Sequence, residues 1–266
     1  MQSNNPVFNR SEGFSGRGPA ADVAAPTAEE LQDMYAAPSA GSVQTGRMTY
    51  DDVVVKTGIT FGVLLVGAVI GWQMPQLAMV GLVVGLVLGL VNAFKREPSP
   101  ALILAYAAFE GLFVGGISFM FENLVINGQS LNGIVAQAIL ATLAVFVAAL
   151  VAYRSGKIRV TPKFQRGVII AGAGYLLFCV VNLLAQVFNW TDSPFGFRDG
   201  FLGIAIGLFA VGLASMFLIL DFDFIEKGVK NGLPARFAWT AAFGLVVTLV
   251  WLYIEMLRLL AILRGE

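Results

Sequence analysis

Residues 200–222 read GFLGIAIGLFAVGLASMFLILDF, and the first charge in that run is Asp221. At 1.5 Å of rise per residue, a helix of this length covers the roughly 30 Å of a bilayer's hydrocarbon core. A buried helix of a soluble domain has no need of so long an unbroken apolar run. Outward from this stretch the pattern repeats: further runs occupy 53–72, 77–94, 101–121, 131–153, 167–188 and 237–262. The sequence therefore predicts an all-α membrane protein, a bundle of seven transmembrane helices over residues 53–266 with short connections.

Composition agrees. Of the 266 residues, 57% are hydrophobic and 13% charged, about half the charged share of an ordinary soluble domain. Basic and acidic residues balance at 17 each, which leaves no basic footprint for nucleic acid. Histidine is absent and cysteine occurs once. Ser-His-Asp and Cys-His catalysis, His-held zinc or haem, Cys-held clusters and intrachain disulfides are thereby excluded. Cys179, set in an apolar run, reads as a small hydrophobe. No aspartyl-protease motif accompanies the acids, so no enzymatic activity and no cofactor are expected.

Residues 1–52 differ from the rest. They carry seven acidic and three basic residues, and 22 of them are Gly, Ala, Ser or Pro. Such a segment buries too little apolar surface to offset its ordering entropy, so it reads as a mostly disordered tail. One short helical turn is expected at Glu29–Tyr35. No apolar stretch follows the start in the manner of a secretory signal. The breaks between spans are also legible, at Pro75, at Pro98 and Pro100, at Asn127-Gly128, across Arg154 to Arg166, and at the interfacial loop WTDSPFGFRDG (190–200).

If seven helices alternate, 14 of the 17 basic residues fall on one side and Arg198, Arg258 and Arg264 on the other. The positive-inside rule then puts the N-terminus in the cytoplasm and the C-terminus outside, in the cell (inner or plasma) membrane. Protease added to inside-out vesicles is expected to remove the tail, and protease added to right-side-out vesicles to spare it. The opposite pattern would invert the topology. Within the spans, glycines four apart (Gly81, Gly85 and Gly89; Gly111 and Gly115; Gly203 and Gly207) predict close helix packing.

The informative charges are those where lipid should be. A carboxylate near a helix centre costs about 2.5–3.5 kcal/mol on insertion scales, so it needs a partner, water or a proton. Glu110 lies in AYAAFEGLFVGGIS (105–118), about 13 Å into the third span. Glu255 lies in LVWLYIEMLRLL (249–260), with Arg258 at i+3 as a potential local ion partner. Asp221 and Asp223 close the sixth span in LILDFDFIEKG (218–228), where Asp223, Glu226 and Lys227 read as a solvated helix end. Two carboxyls brought together in a low-dielectric bundle do not easily both ionise. Protonated, they can hold two helices together; ionised, they repel or bind a hard cation such as Ca²⁺ through oxygen.

At these residues the sequence resembles the Bax inhibitor (TMBIM) family, and within it the bacterial YccA-like branch. The likeness rests on LILDFDFIEKG, on LYIEMLRLL (252–260), on RMTYDDVV (47–54), on AFEGLFVGGIS (108–118) and on SNNPVF (3–8). The resemblance implies a seven-helix bundle with the last helix central, and a pH-sensitive calcium leak. It further implies a proton-sensing pair of acids, Asp221 on span six and Glu255 on span seven, with glutamate standing where the better-studied pattern has aspartate. A basic residue closing span two is also implied, and Lys95 and Arg96 both occupy that region. Asp221 and Glu255 would be the oxygen donors for Ca²⁺ as a transported ion.

Depth bears on that pairing. Glu255 lies about 27 Å along a continuous helix from Phe237, so it meets Asp221 only if span seven begins late, near Gly244. Otherwise Glu110 is the better partner for Glu255. Three readings follow. The first is a carboxyl-gated cation leak. The second is a non-conducting regulator that binds a membrane protease or stress-response complex through the acidic tail. The third is proton-coupled solute transport, for which no broken helices are visible. The lipid bilayer is a partner in all three.

Overall fold

The computed structural model describes residues 27–29, 32, 45–126, 128–156, 158–190, 196–198 and 200–265. Residues 3–8, most of the expected tail and positions 191–195 of the interfacial loop lie outside the described residues. Within the expected turn at Glu29–Tyr35, Glu29 and Gln32 are helical. Chain contacts divide the protein into Met1–Gly41 and Ser42–Glu266, and the second unit contains all that follows.

Seven helices long and apolar enough to cross a membrane are present among the described residues. They are α1 (Tyr50–Gln73), α2 (Ala78–Phe94), α3 (Pro100–Glu122), α4 (Ile134–Arg154), α5 (Pro162–Val187), α6 (Gly200–Lys230) and α7 (Ala238–Gly265). Single 3₁₀ turns, Pro75–Leu77 and Ala235–Phe237, lead into α2 and α7. A two-residue hairpin pairs β1 (Val125–Ile126) with β2 (Gln129–Ser130) between α3 and α4. Gly128 in its turn has φ of 78°, the left-handed conformation that glycine adopts at no steric cost.

Several ends differ from the hydropathic reading, and the reason is capping. α1 starts at Tyr50 because Thr49 and Asp52 form a reciprocal capping box, so the helical region opens before residue 53. α5 starts at Pro162, inside the stretch read as a loop. The Thr161 side chain accepts from the Phe164 N–H at 3.2 Å, and proline suits the first turn because its missing N–H has no intrahelical partner there. α6 runs past the end of the apolar run at Phe222 to Lys230, where Asp223–Lys227 (2.6 Å) and Glu226–Lys230 are i,i+4 ion pairs on its polar end.

α7 is the most enclosed helix and α2 the least. α7 packs against α6, α1, α4 and α3, whereas α2 leans chiefly on α3. The α1–α3 contact is made backbone to backbone. A Cβ at Gly67 would strike the Ala108 carbonyl, and one at Gly71 the Leu112 carbonyl. In return, Gly111 faces the Leu64 carbonyl and Gly115 the Ala68 carbonyl. Gly81 fits α2 onto α3 in the same manner, its missing Cβ lying 2.6 Å from Phe113 N.

At the basic end of the bundle, the segment before α1 is clasped by the α6–α7 turn. Met48 N–H donates to Leu233 O (2.6 Å), and Ala235 N–H donates to Gly46 O (2.8 Å). Lys56 Nζ adds a bond to Ala235 O at 2.7 Å.

Candidate functional site: carboxyls inside the bundle

Antiparallel packing of α6 on α7 sets the position of Asp221. Its Oδ2 accepts from the Thr248 hydroxyl at 2.7 Å. Its Oδ1 lies over Gly244, where a Cβ would come within 3.4 Å. Glycine at 244 and a hydroxyl one turn later thus make room for the carboxyl and give it a donor. Among the described residues, no cation pairs with Asp221.

Glu110 sits on the α2-facing side of α3. A Cβ at Gly85 would lie 2.9 Å from its Oε2, so the small residue on α2 leaves the space the carboxyl fills. No hydrogen bond or ion pair reaches the Glu110 side chain among the described residues. Two contacts fix its height. One turn before it, Tyr106 meets Phe243 edge-on at 5.0 Å; further along α3, Ser118 Oγ and Tyr253 OH are 2.7 Å apart. α3 and α7 therefore run in the same direction, in step, and Glu110 stands at the height of Thr248 and hence of Asp221.

Glu255 is seated differently. It is 3% exposed, and its Oε1 accepts from Tyr175 OH at 2.6 Å and from Trp251 Nε1 at 3.3 Å. Arg258 pairs with its other oxygen and also donates to Tyr175 OH at 3.2 Å. Arg198 Nη1 stands 3.9 Å from Oε1. The ion partner at i+3 is thus formed, and a second guanidinium joins it.

The sequence-derived acids therefore fall into two places. Asp221 and Glu110 share a level toward the basic end. Glu255 lies about 10 Å further along α7 than Thr248, by helix rise over seven residues, and no described contact joins it to Asp221 or Glu110. α7 runs without a break from Ala238, and along it Asp221 lies against Gly244 and Thr248. Asp223 is tied to Lys227 on the surface. Lys95 and Arg96 follow the end of α2, both exposed, without an acidic partner among the described residues. No cluster of three or more metal-ligating side chains occurs among those residues.

Two residues important to this arrangement carried no sequence signal. Thr248 is one hydroxyl in an apolar helix, and Arg198 was legible only as a charge in a loop. Cys179 is also more than a small hydrophobe, because its Sγ accepts from Arg198 Nη2 at 2.7 Å. A cavity of about 480 Å³ opens between α1, α3, α4 and α7. Its walls are apolar apart from Gln73, Ser118, Thr142 and Tyr253, and none of the three acids lines it.

A family profile described as Bax inhibitor 1 like matches residues 5–265. None of the curated proteins compared is similar enough to match. With almost the whole chain matched and seven membrane-length helices around a central last one, the chain belongs to the Bax inhibitor 1 like family.

Proposed function

We propose that this multipass membrane protein passes a cation, Ca²⁺ in the first instance, down its gradient, and that protonation of carboxyls inside the bundle gates the path. The observation that carries this reading is the shared level of Asp221 and Glu110. Each is a carboxyl within a membrane-spanning helix, and neither has a cationic partner among the described residues. Ionised, they offer oxygen to a hard cation passing between α6, α7, α3 and α2; protonated, they offer no charge. Glu255, already facing two arginines, is the weaker candidate for gating by itself. The N-terminus is taken as cytoplasmic on the strength of the charge bias.

The test is calcium flux into proteoliposomes of the purified chain between about pH 6 and pH 8, a range that perturbed carboxyls reach. Wild-type flux is expected to vary with pH. Asp221→Asn and Glu110→Gln should each flatten that dependence, and the double variant should add little if the two titrate as one unit. A flat response in Glu255→Gln together with Asp221→Asn, but not in Glu110→Gln, would instead favour the pairing that the family resemblance implies.

The second reading is a non-conducting regulator that binds a membrane protease or a stress-response complex through the tail. The clasp between residues 46–48 and 233–235 favours it, because it ties the chain leading from the tail to the helical bundle. Absence of flux at every pH, with capture of a partner that depends on residues 1–45, would move this reading to first place.

A further inference from the structure

A loop arginine at a membrane boundary ordinarily extends its long stem outward and keeps its charge in water. Arg198 does the opposite. The chain before α6 turns back at Gly196, at φ of 66°, and Phe197 N–H is pinned to Asn182 Oδ1 of α5 at 2.7 Å. The next side chain then enters the bundle and is 3% exposed. Its guanidinium lies over the rings of Tyr175 (5.1 Å) and Phe178 (5.0 Å), donates to Cys179 Sγ and faces Glu255. Among the described residues, no acceptor meets its Nε–H. Two guanidiniums, those of Arg198 and Arg258, thus converge on one carboxylate. Burying a second cation there is costly, and holding Glu255 alone does not require it.

We propose that Arg198 is a tethered plug. The described stretch from Gly196 to Arg198 sets the guanidinium into a seat formed by Tyr175, Phe178, Cys179 and Glu255, closing the bundle at the end opposite the Asp221 level. There it occupies, as a built-in cation, the position that a permeating cation would take at Glu255. The closure is a statement about the loop and the seat; its effect on ions rests on the leak reading above.

The chain's single cysteine lies under the plug, so it reports closure without any measurement of flux. The full-length protein in lipid nanodiscs would be treated with a charged, water-soluble methanethiosulfonate, with Cys179→Ser as the blank. Wild type should react slowly. Arg198→Gln should react at least about ten-fold faster, since a local opening is no longer opposed by the buried contacts. Asn182→Ala, which removes the acceptor of the Phe197 N–H, should also react faster and serves if Arg198→Gln does not fold. Arg198→Lys should stay nearer to wild type. Equal reaction rates in wild type and in the folded variants would overturn the plug, whatever the flux. In proteoliposomes, Arg198→Gln should pass Ca²⁺ several-fold faster than wild type. Faster thiol reaction with no flux in any variant would support the closure and overturn only the leak reading.

Discussion

Glu255→Gln is expected to destabilise the bundle by about 3–5 kcal/mol, the range for removing one partner of a buried ion pair. The carboxylate is the one negative charge in described contact with Arg198 and Arg258. Among the described residues, its loss leaves the two guanidiniums with Tyr175 OH, the Cys179 thiol and aromatic faces around them. The size of the side chain hardly changes, so the effect is one of charge and not of packing. Resistance to SDS in mixed micelles would show it as a large fall in the denaturing mole fraction. The double variant Glu255→Gln/Arg198→Gln should recover part of the loss, because it removes one of the stranded charges. A mutant cycle in which the two changes simply add would mean that the two groups do not interact.

Gly115→Leu is the second change with a large expected effect. The missing Cβ at this position already points into the Ala68 carbonyl of α1, so the obstacle is backbone, which cannot rotate away. Overpacking of this kind costs about 1–3 kcal/mol where neighbours can yield, and here α1 must withdraw from α3 along the seam that Gly67, Gly71 and Gly111 share. Loss of the monodisperse peak on size exclusion, or a fall in thermal midpoint well beyond that of Gly174→Leu, is the expected result. Gly174 is the control because no heavy atom stands within 4 Å of its Cβ position. Equal behaviour of the two variants would show that the α1–α3 approach contributes nothing to assembly.

The seven helices were readable because lipid imposes a length of apolar sequence and tolerates few exceptions. What hydropathy misplaced were ends decided by one or two polar atoms: Thr49 with Asp52 at α1, Thr161 before Pro162 at α5. Glycine spacing identified Gly111 and Gly115; Gly67 and Gly71 on the facing helix carry the same four-residue spacing, but spacing on one helix does not name its partner, so the seam between them was not legible. The acids were equally visible as charges among apolar residues. Arg258 was found as the neighbour of Glu255 since three residues on a helix fix the distance. Arg198 was not, because a loop's spacing says nothing of where its side chain ends. The level shared by Asp221 and Glu110 depends on how α3 and α7 lie in step, a property of the packed pair that neither sequence holds alone.

The clasp at Gly46, Met48, Leu233 and Ala235 fastens the chain entering α1 to the bundle. Those backbone bonds grip the turn that joins α6 to α7, and the same two helices hold Asp221 against Thr248. The chain entering α1 is thereby fixed to the two helices between which the Asp221 carboxyl lies.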